Sequence, residues 1–366
     1  MQTARASSND RYGERVPVRS PKLPEGLSCP NCRGAVQGYE RVARCGDCGR
    51  AFAILGGRIA DFLAEDHPGV DAIFAWSDGF VRNAEPWLLA LASGKSVSAA
   101  ASLELQAQQL VAGATGIRGE PGGSRSWRCD GGSRLTALGS NLAYHCAEFS
   151  LQSAQRSASP FWERFLRRSA LGAEAAVLDV GCGAGQTLRL LERYHPAERI
   201  GLDIDREALA FGCRLAEAHG EAISFVRASA YRIPFRDQRF THVICRVALN
   251  YVHQWRALTE MVRVLQPGGY LYCSVEGPGF DLHFLRQART AAQVASRLRD
   301  LFYGWILAVT GMQPAPGSRL TGGRASGTFR RCTQTLNRTG CDVVYAETIS
   351  RYLGLPLTFD VVARKR

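Results

Sequence analysis

The stretch Ala176–Tyr194, AVLDVGCGAGQTLRLLERY, admits few folds. A short apolar run enters three glycines at alternate positions, Gly181, Gly183 and Gly185, and leaves as an amphipathic helix pattern. Glycine lets the backbone turn sharply and pass close to a ligand, so the stretch reads as strand, tight turn and helix. The same texture continues downstream. RIGLDI, AISFVRA, THVICRV and YLYCSV read as strands, REALAFGCRLAEAHG and ALTEMVRVL as helices, the second stopped at QPGG. DLHFLRQARTAAQVASRLRDLFYGWILAV reads as one long helix, and CDVVYAE and LTFDVVAR as two closing strands. Alternation of this kind predicts an α/β, Rossmann-like parallel sheet with helices on both faces.

A dinucleotide-binding turn would need a third glycine where Gln186 stands, and Asp179 has no place in that fingerprint. A plain dehydrogenase is therefore disfavoured. The segments VLDVGCGAG, GLDID, RIPF and EMVRVLQPGG, in that order between Ala176 and Val275, resemble the class I S-adenosylmethionine-dependent methyltransferases. The resemblance implies a seven-stranded sheet whose last strand runs antiparallel, and S-adenosyl-L-methionine as cofactor. By position, the Gly181–Gly185 turn would cradle its methionine part and Asp203 would accept from both ribose hydroxyls, a role suited to a carboxylate. Asp179, Ile204 and Ala230 complete the cofactor set with Ser229, which stands where many members carry an Asp against the adenine amino group. A hydroxyl can still accept that bond, without charge. Thr241 is a second departure, replacing a common Asp. Asp205, beyond the strand end, reads as a helix N-cap.

Methyl transfer asks mainly for in-line placement, and for a base only where the acceptor must shed a proton. In NYVHQW, His253 is the base candidate and Tyr251 an acceptor-orienting one; a helix-starting surface histidine and a packed aromatic are the plain alternatives. His145 and His242 read as structural. Phe302, Tyr303, Trp305 and Ile306 are expected either to line an apolar acceptor pocket or to pack on the helical region preceding the sheet.

Cys29/Cys32 and Cys45/Cys48 form two Cys-x-x-Cys pairs twelve residues apart, each followed closely by a glycine. Such spacing closes a tetrahedral structural zinc site, and a unit this small needs one. The other eight cysteines sit singly, mostly in apolar stretches, and read as buried reduced thiols. The expected organisation is a flexible tail over 1–25, a zinc ribbon over 26–58, a helical lid or substrate-binding region over 59–160, and a methyltransferase domain over 161–366 with a helical cap insertion at about 281–335.

The formal charge of +12 is nearly all arginine, lysine occurring only at 22, 95 and 365. The arginines are spread along the chain, which reads as a solvated surface rather than an RNA stripe. The N-terminus lacks a secretory signal, and LFYGWILAVTGM is too short to span a bilayer, so a cytoplasmic protein without a membrane span is expected. The acceptor is expected to be a small, partly apolar molecule in a biosynthetic step. A weaker resemblance, on Ala228, Ser229, Arg232, Pro234, Phe235 and the zinc site, is to the 23S rRNA guanine-N1 methyltransferases. It keeps rRNA or tRNA base methylation as the alternative. A non-catalytic binding protein is a third reading, motivated by Ser229 and Thr241.

Overall fold

The computed structural model describes residues 23–39, 41–63, 165–166, 168–312 and 325–366. The expected tail, most of the helical region 59–160 and His145 lie outside them. No described helix is long and apolar enough to cross a membrane.

Eleven strands form one sheet. Four come from the cysteine-bearing stretch: β1 (Val36–Tyr39), β2 (Val42–Cys45), β3 (Ala51–Leu55) and β4 (Ile59–Asp61), an antiparallel meander. The others are β5 (Ala176–Val180), β6 (Glu198–Asp203), β7 (Ser224–Arg227), β8 (Phe240–Arg246), β9 (Leu265–Glu276), β10 (Cys341–Tyr352) and β11 (Leu355–Lys365). Their order is β1-β2-β3-β4-β7-β6-β5-β8-β9-β11-β10. Strands β7 to β9 run parallel, and β11 runs antiparallel between β9 and β10, as the resemblance implied. Leu353 and Gly354 both hold positive φ (49° and 78°) and join β10 to β11 in a tight two-residue hairpin turn. The meander is not a separate module. Its β4 pairs in parallel with β7, so meander and α/β sheet are continuous.

Helices α1 (Gln186–Leu190), α2 (Arg206–Ala218), α3 (Gln254–Val264), α4 (Pro278–Gln287), α5 (Ala291–Thr310) and α6 (Phe329–Arg338) flank the sheet. Val177 of β5 packs in one apolar layer with Leu188 of α1 and Leu209 and Phe211 of α2. Leu178 and Val180 pack in the other, with Leu258 and Met261 of α3 and Leu336 of α6. Leu27, Phe52 and Ile54 from the meander share that second layer with Phe235 and Phe240.

Two expectations are corrected. The single long helix is broken into α4 and α5: Thr290 accepts from the Gln293 amide while Gln293 Oε1 accepts from the Thr290 amide, a capping box that starts a new helix. The QPGG segment does end α3, but it lies within β9, with Gly268 at φ +75°.

Candidate functional site

The carboxyl ends of β5, β6, β7 and β8 meet where β5 pairs with β6 on one side and β8 on the other, the switch point at which open α/β sheets bind ligands. Gly181, Gly183 and Gly185 hold φ of 79°, 54° and 81° there. A Cβ on Gly181 would stand 2.3 Å from that of Ala248, so the turn after β5 abuts the turn after β8. Buried Arg189 fixes the cradle from behind, donating to Ala184 O (2.8 Å) and Gly212 O (3.1 Å) and pairing with Glu221 (2.6 Å). That role was hidden in the sequence, where Arg189 reads as a polar-face residue of α1.

Asp203 closes the turn. Its Oδ2 accepts from Gly183 N (2.8 Å), and its Oδ1 from Ile204 N (2.7 Å) and Asp205 N (3.0 Å). Burial holds its carboxyl above the usual range, against the pull of these amides. Of roughly four lone-pair positions on a carboxylate, three are used, leaving about one for a further donor. Asp205 caps α2 through the amides of Glu207 and Ala208.

Asp179 is the unusual group. It is 1% exposed, and neither carboxylate oxygen has a well-formed hydrogen bond among the described residues, although the Thr187 hydroxyl bears on it. Burial pushes it up to about 7, with Arg246 pulling down, Asp203 pushing up and Thr187 pulling down. A buried, unsatisfied carboxylate beside a glycine cradle awaits a cation or a donor.

On the next strand end, Ser229 Oγ accepts from Tyr231 N (3.2 Å) and the Ala228 amide donates to Asp203 O (3.0 Å). Ile204 is exposed, and its carbonyl accepts from Arg227 Nε (3.0 Å). Ala230 is half-buried against the apolar layer. The meander grips this edge. Both carboxylate oxygens of buried Asp61 accept from Nη1 of Arg227, and Ser28 N donates to Pro234 O (2.9 Å). Arg33 pairs with Glu260 (3.1 Å), whose other oxygen accepts from Ile233 N (2.9 Å).

After β8, Val247 holds φ 65° and ψ −30°, a strained conformation for a β-branched residue. Asn250, fully buried, donates to Glu276 O (2.8 Å) and Ala325 O (3.0 Å) and accepts from Glu276 N (2.9 Å). This latch ties the turn to β9 and to the segment 325–327. Tyr251 is exposed. His253 stands at the N-cap position of α3 without a side-chain capping bond and gives its backbone N–H to Tyr231 Oη (2.7 Å), bringing the 229–231 and 251–253 turns together. Burial and the Arg256 charge hold its imidazole below its ordinary value, and Nδ1 is buried without a partner among the described residues.

His242 is a buried core residue. Its Nε2 lies 2.7 Å from the Ser169 carbonyl, which can only accept, so Nε2 carries the proton. Thr241 Oγ1 lies within hydrogen-bond distance of both backbone groups of Ala176 and of His242 Nδ1, clasping β8 to β5. Phe302 and Trp305 are 55% and 62% exposed on the outward face of α5, and most of the helical region on which they were alternatively expected to pack lies outside the described residues. Tyr303 and Ile306 are half-buried.

The sulfurs of Cys29, Cys32, Cys45 and Cys48 lie within 4.8 Å of one another, with Cys29–Cys48 at 3.8 Å and Cys32–Cys45 at 3.4 Å, and none is in a disulfide. Four thiolates at about 2.3 Å from one ion stand about 3.8 Å apart, so the donor set fits a tetrahedral metal.

Residues 178–273, from β5 to β9, match the family described as a methyltransferase domain. Over 97 residues the chain is 42% identical to phthiotriol/phenolphthiotriol dimycocerosates methyltransferase 1 of Mycobacterium ulcerans, covering 26% of this chain and 35% of that protein. It is 39% identical over 97 residues to demethylmenaquinone methyltransferase of Thermus thermophilus (26% and 44%). It is 34% identical over 108 residues to fatty-acid O-methyltransferase of Mycolicibacterium smegmatis (29% and 39%). The matched stretch thus spans less than half the length of each relative. It takes in the cradle, Asp203, Ser229 and the turn carrying Tyr251 and His253, while the cysteine meander lies outside it.

Proposed function

We propose that the chain is an S-adenosylmethionine-dependent methyltransferase acting on a small, partly apolar acceptor in a biosynthetic step. The observation that carries this reading is the glycine turn closed on Ala248, with the unsatisfied carboxylate of Asp179 beside it. A cradle that no side chain fits, next to a buried anion, suits a ligand with a cationic amine at one end. Asp203 and Ser229 supply acceptors on the adenosine side. When bound, S-adenosylmethionine supplies an activated methyl group on a sulfonium. The chain then has to hold the acceptor in line and exclude water. Asn250 fixes the turn bearing Tyr251 and His253 beside the cradle, and His253, whose imidazole is biased towards the neutral form, is suited to take a proton from an acceptor hydroxyl or amine. The apolar character of the acceptor is supported by the relatives, whose names refer to dimycocerosates, a menaquinone and a fatty acid.

The four thiolates are assigned to a structural zinc ion. Its place would be in folding, because the meander is small and its grip on residues 227–235 depends on its shape. A cytoplasmic setting is part of the same reading, since ten described cysteines are all free thiols.

The test is transfer from methyl-labelled S-adenosylmethionine into an extract of a strain lacking the protein. Label in the organic-soluble fraction is expected. Label in RNA overturns the acceptor class, and absence of both cofactor binding and transfer overturns the enzyme.

A further inference from the structure

Helix α5 is amphipathic the wrong way round. Its inward side carries Asp300, Gly304 and Leu307, which are buried; Gly304 packs against Ser326, beside the 325–327 segment that latches to Asn250. At 100° per residue, the opposite face presents Ala291, Ala295, Leu298, Phe302, Trp305 and Val309 in one stripe. Leu298, Phe302, Trp305 and Val309 are 52%, 55%, 62% and 59% exposed, and Met312, just past the Gly311 C-cap, is 66% exposed. A contiguous apolar face of this size marks an interaction site.

Charge selects the partner. Over residues 278–312 and 325–340 the acids are Asp281 and Asp300, both buried, with Arg297 beside both. Arginines stand at both ends of the stripe. Arg286 and Arg289 lie towards its N-terminal end, while Arg297 and Arg299 on the flanks of α5 reach Asp300 (3.6 Å each) and leave the ends as the more basic parts. Arg330 and Arg331 stand at its C-terminal end, where Arg331 donates to the carbonyls of Ala308 (2.9 Å) and Val309 (2.6 Å). A second copy pairing through this face would bring arginine against arginine, with no exposed acid among the described residues of these helices to answer. An anionic lipid surface satisfies both features: the apolar stripe enters the interface, Trp305 sits at headgroup depth, and the arginines meet the phosphates.

We propose that α5 docks the protein flat on anionic membranes. The site lies on the outer side of the helix whose inner side abuts the Asn250 latch, so an apolar acceptor drawn from the bilayer would enter beside the methyltransferase turn. Only this last clause rests on the proposed function; docking stands without it.

The test is co-sedimentation of the full chain with vesicles of phosphatidylcholine alone and with added phosphatidylglycerol, run without cofactor or acceptor. The chain is expected to pellet with the anionic vesicles, less so as salt is raised. Phe302→Ser with Trp305→Ser is expected to weaken binding by at least about tenfold, because each loses the transfer energy of a large side chain. The double variant should keep the wild-type thermal midpoint and S-adenosylmethionine affinity, which separates docking from folding and catalysis. Failure of the wild type to bind anionic vesicles overturns the proposal, as does binding by the double variant that matches the wild type. Light scattering gives a further check: a wild-type dimer that the double substitution splits, with vesicle binding unchanged, would assign the face to a second copy instead.

Discussion

Asp61 on β4 and Arg227 on β7, 166 residues apart, are joined in an ion pair in which Nη1 of Arg227 is shared between the two carboxylate oxygens at 2.9 and 3.2 Å, with both side chains almost fully buried. Arg227 also holds the carbonyl of Ile204, the residue after Asp203. The cysteine meander therefore reaches the carboxyl end of β6, beside Asp203, through one guanidinium.

Removing one half of a buried pair strands the other. Asp61→Ala is expected to cost about 3–5 kcal/mol, read as a lower urea midpoint. Replacing both residues, as Asp61→Leu with Arg227→Met, should restore much of that loss, because no charge is left buried. A double variant as unstable as the single one would show that the pair acts by shape rather than charge.

Chelation should separate the metal's role from the cofactor's. Zinc content is expected near one ion per chain, and its removal should lower the thermal midpoint, with recovery on zinc addition. Cys45→Ser should behave like the chelated protein. If the metal-free chain melts as before, the four thiols hold no structural ion.

Asp179 gives a pH dependence with a defined sign. Its carboxyl is raised from 3.8 to about 7 in the folded chain by burial. Between these values the folded state holds a proton that the unfolded chain has released. Stability of the cofactor-free chain therefore falls as pH rises through the window, by an order of a few kcal/mol. Affinity for a cationic amine runs the other way and should rise as pH climbs through about 7. Asp179→Asn is expected to raise the cofactor-free melting point above that pH, and to weaken S-adenosylmethionine binding by roughly tenfold or more while flattening its pH dependence. Calorimetric titration across the window checks both signs.

His253→Gln tests the proton step. If the imidazole accepts the acceptor's proton, kcat should fall by about 10²–10⁴ with little change in cofactor affinity, and the acid limb of the kcat profile should disappear. A change confined to KM would leave His253 as the cap of α3 alone.

The parts legible in the sequence are those where short-range spacing dictates chemistry. Three alternate glycines, two Cys-x-x-Cys pairs and the Asp205 cap needed no knowledge of distant partners. Thr290 and Gln293 were also legible as a capping box, but the amphipathic pattern across 281–309 masked the break between α4 and α5. What stayed hidden is long-range. The sequence of Asp61, Arg33 or Asn250 does not say that each meets a residue 26 to 227 positions away. Phe302 and Trp305 left two alternatives open for a related reason: an apolar stripe states that a face will be covered, but not by what.

The parallel pairing of β4 with β7 has one more consequence. An α/β sheet of this order would end on β7, whose outer backbone amides and carbonyls would offer a template for another chain. Here β4 occupies that margin, so a shortened chain beginning after residue 63 would bare it and invite intermolecular strand addition. The thiol-bearing stretch thus acts as a hem on the α/β sheet, and its loss would be felt first as insolubility.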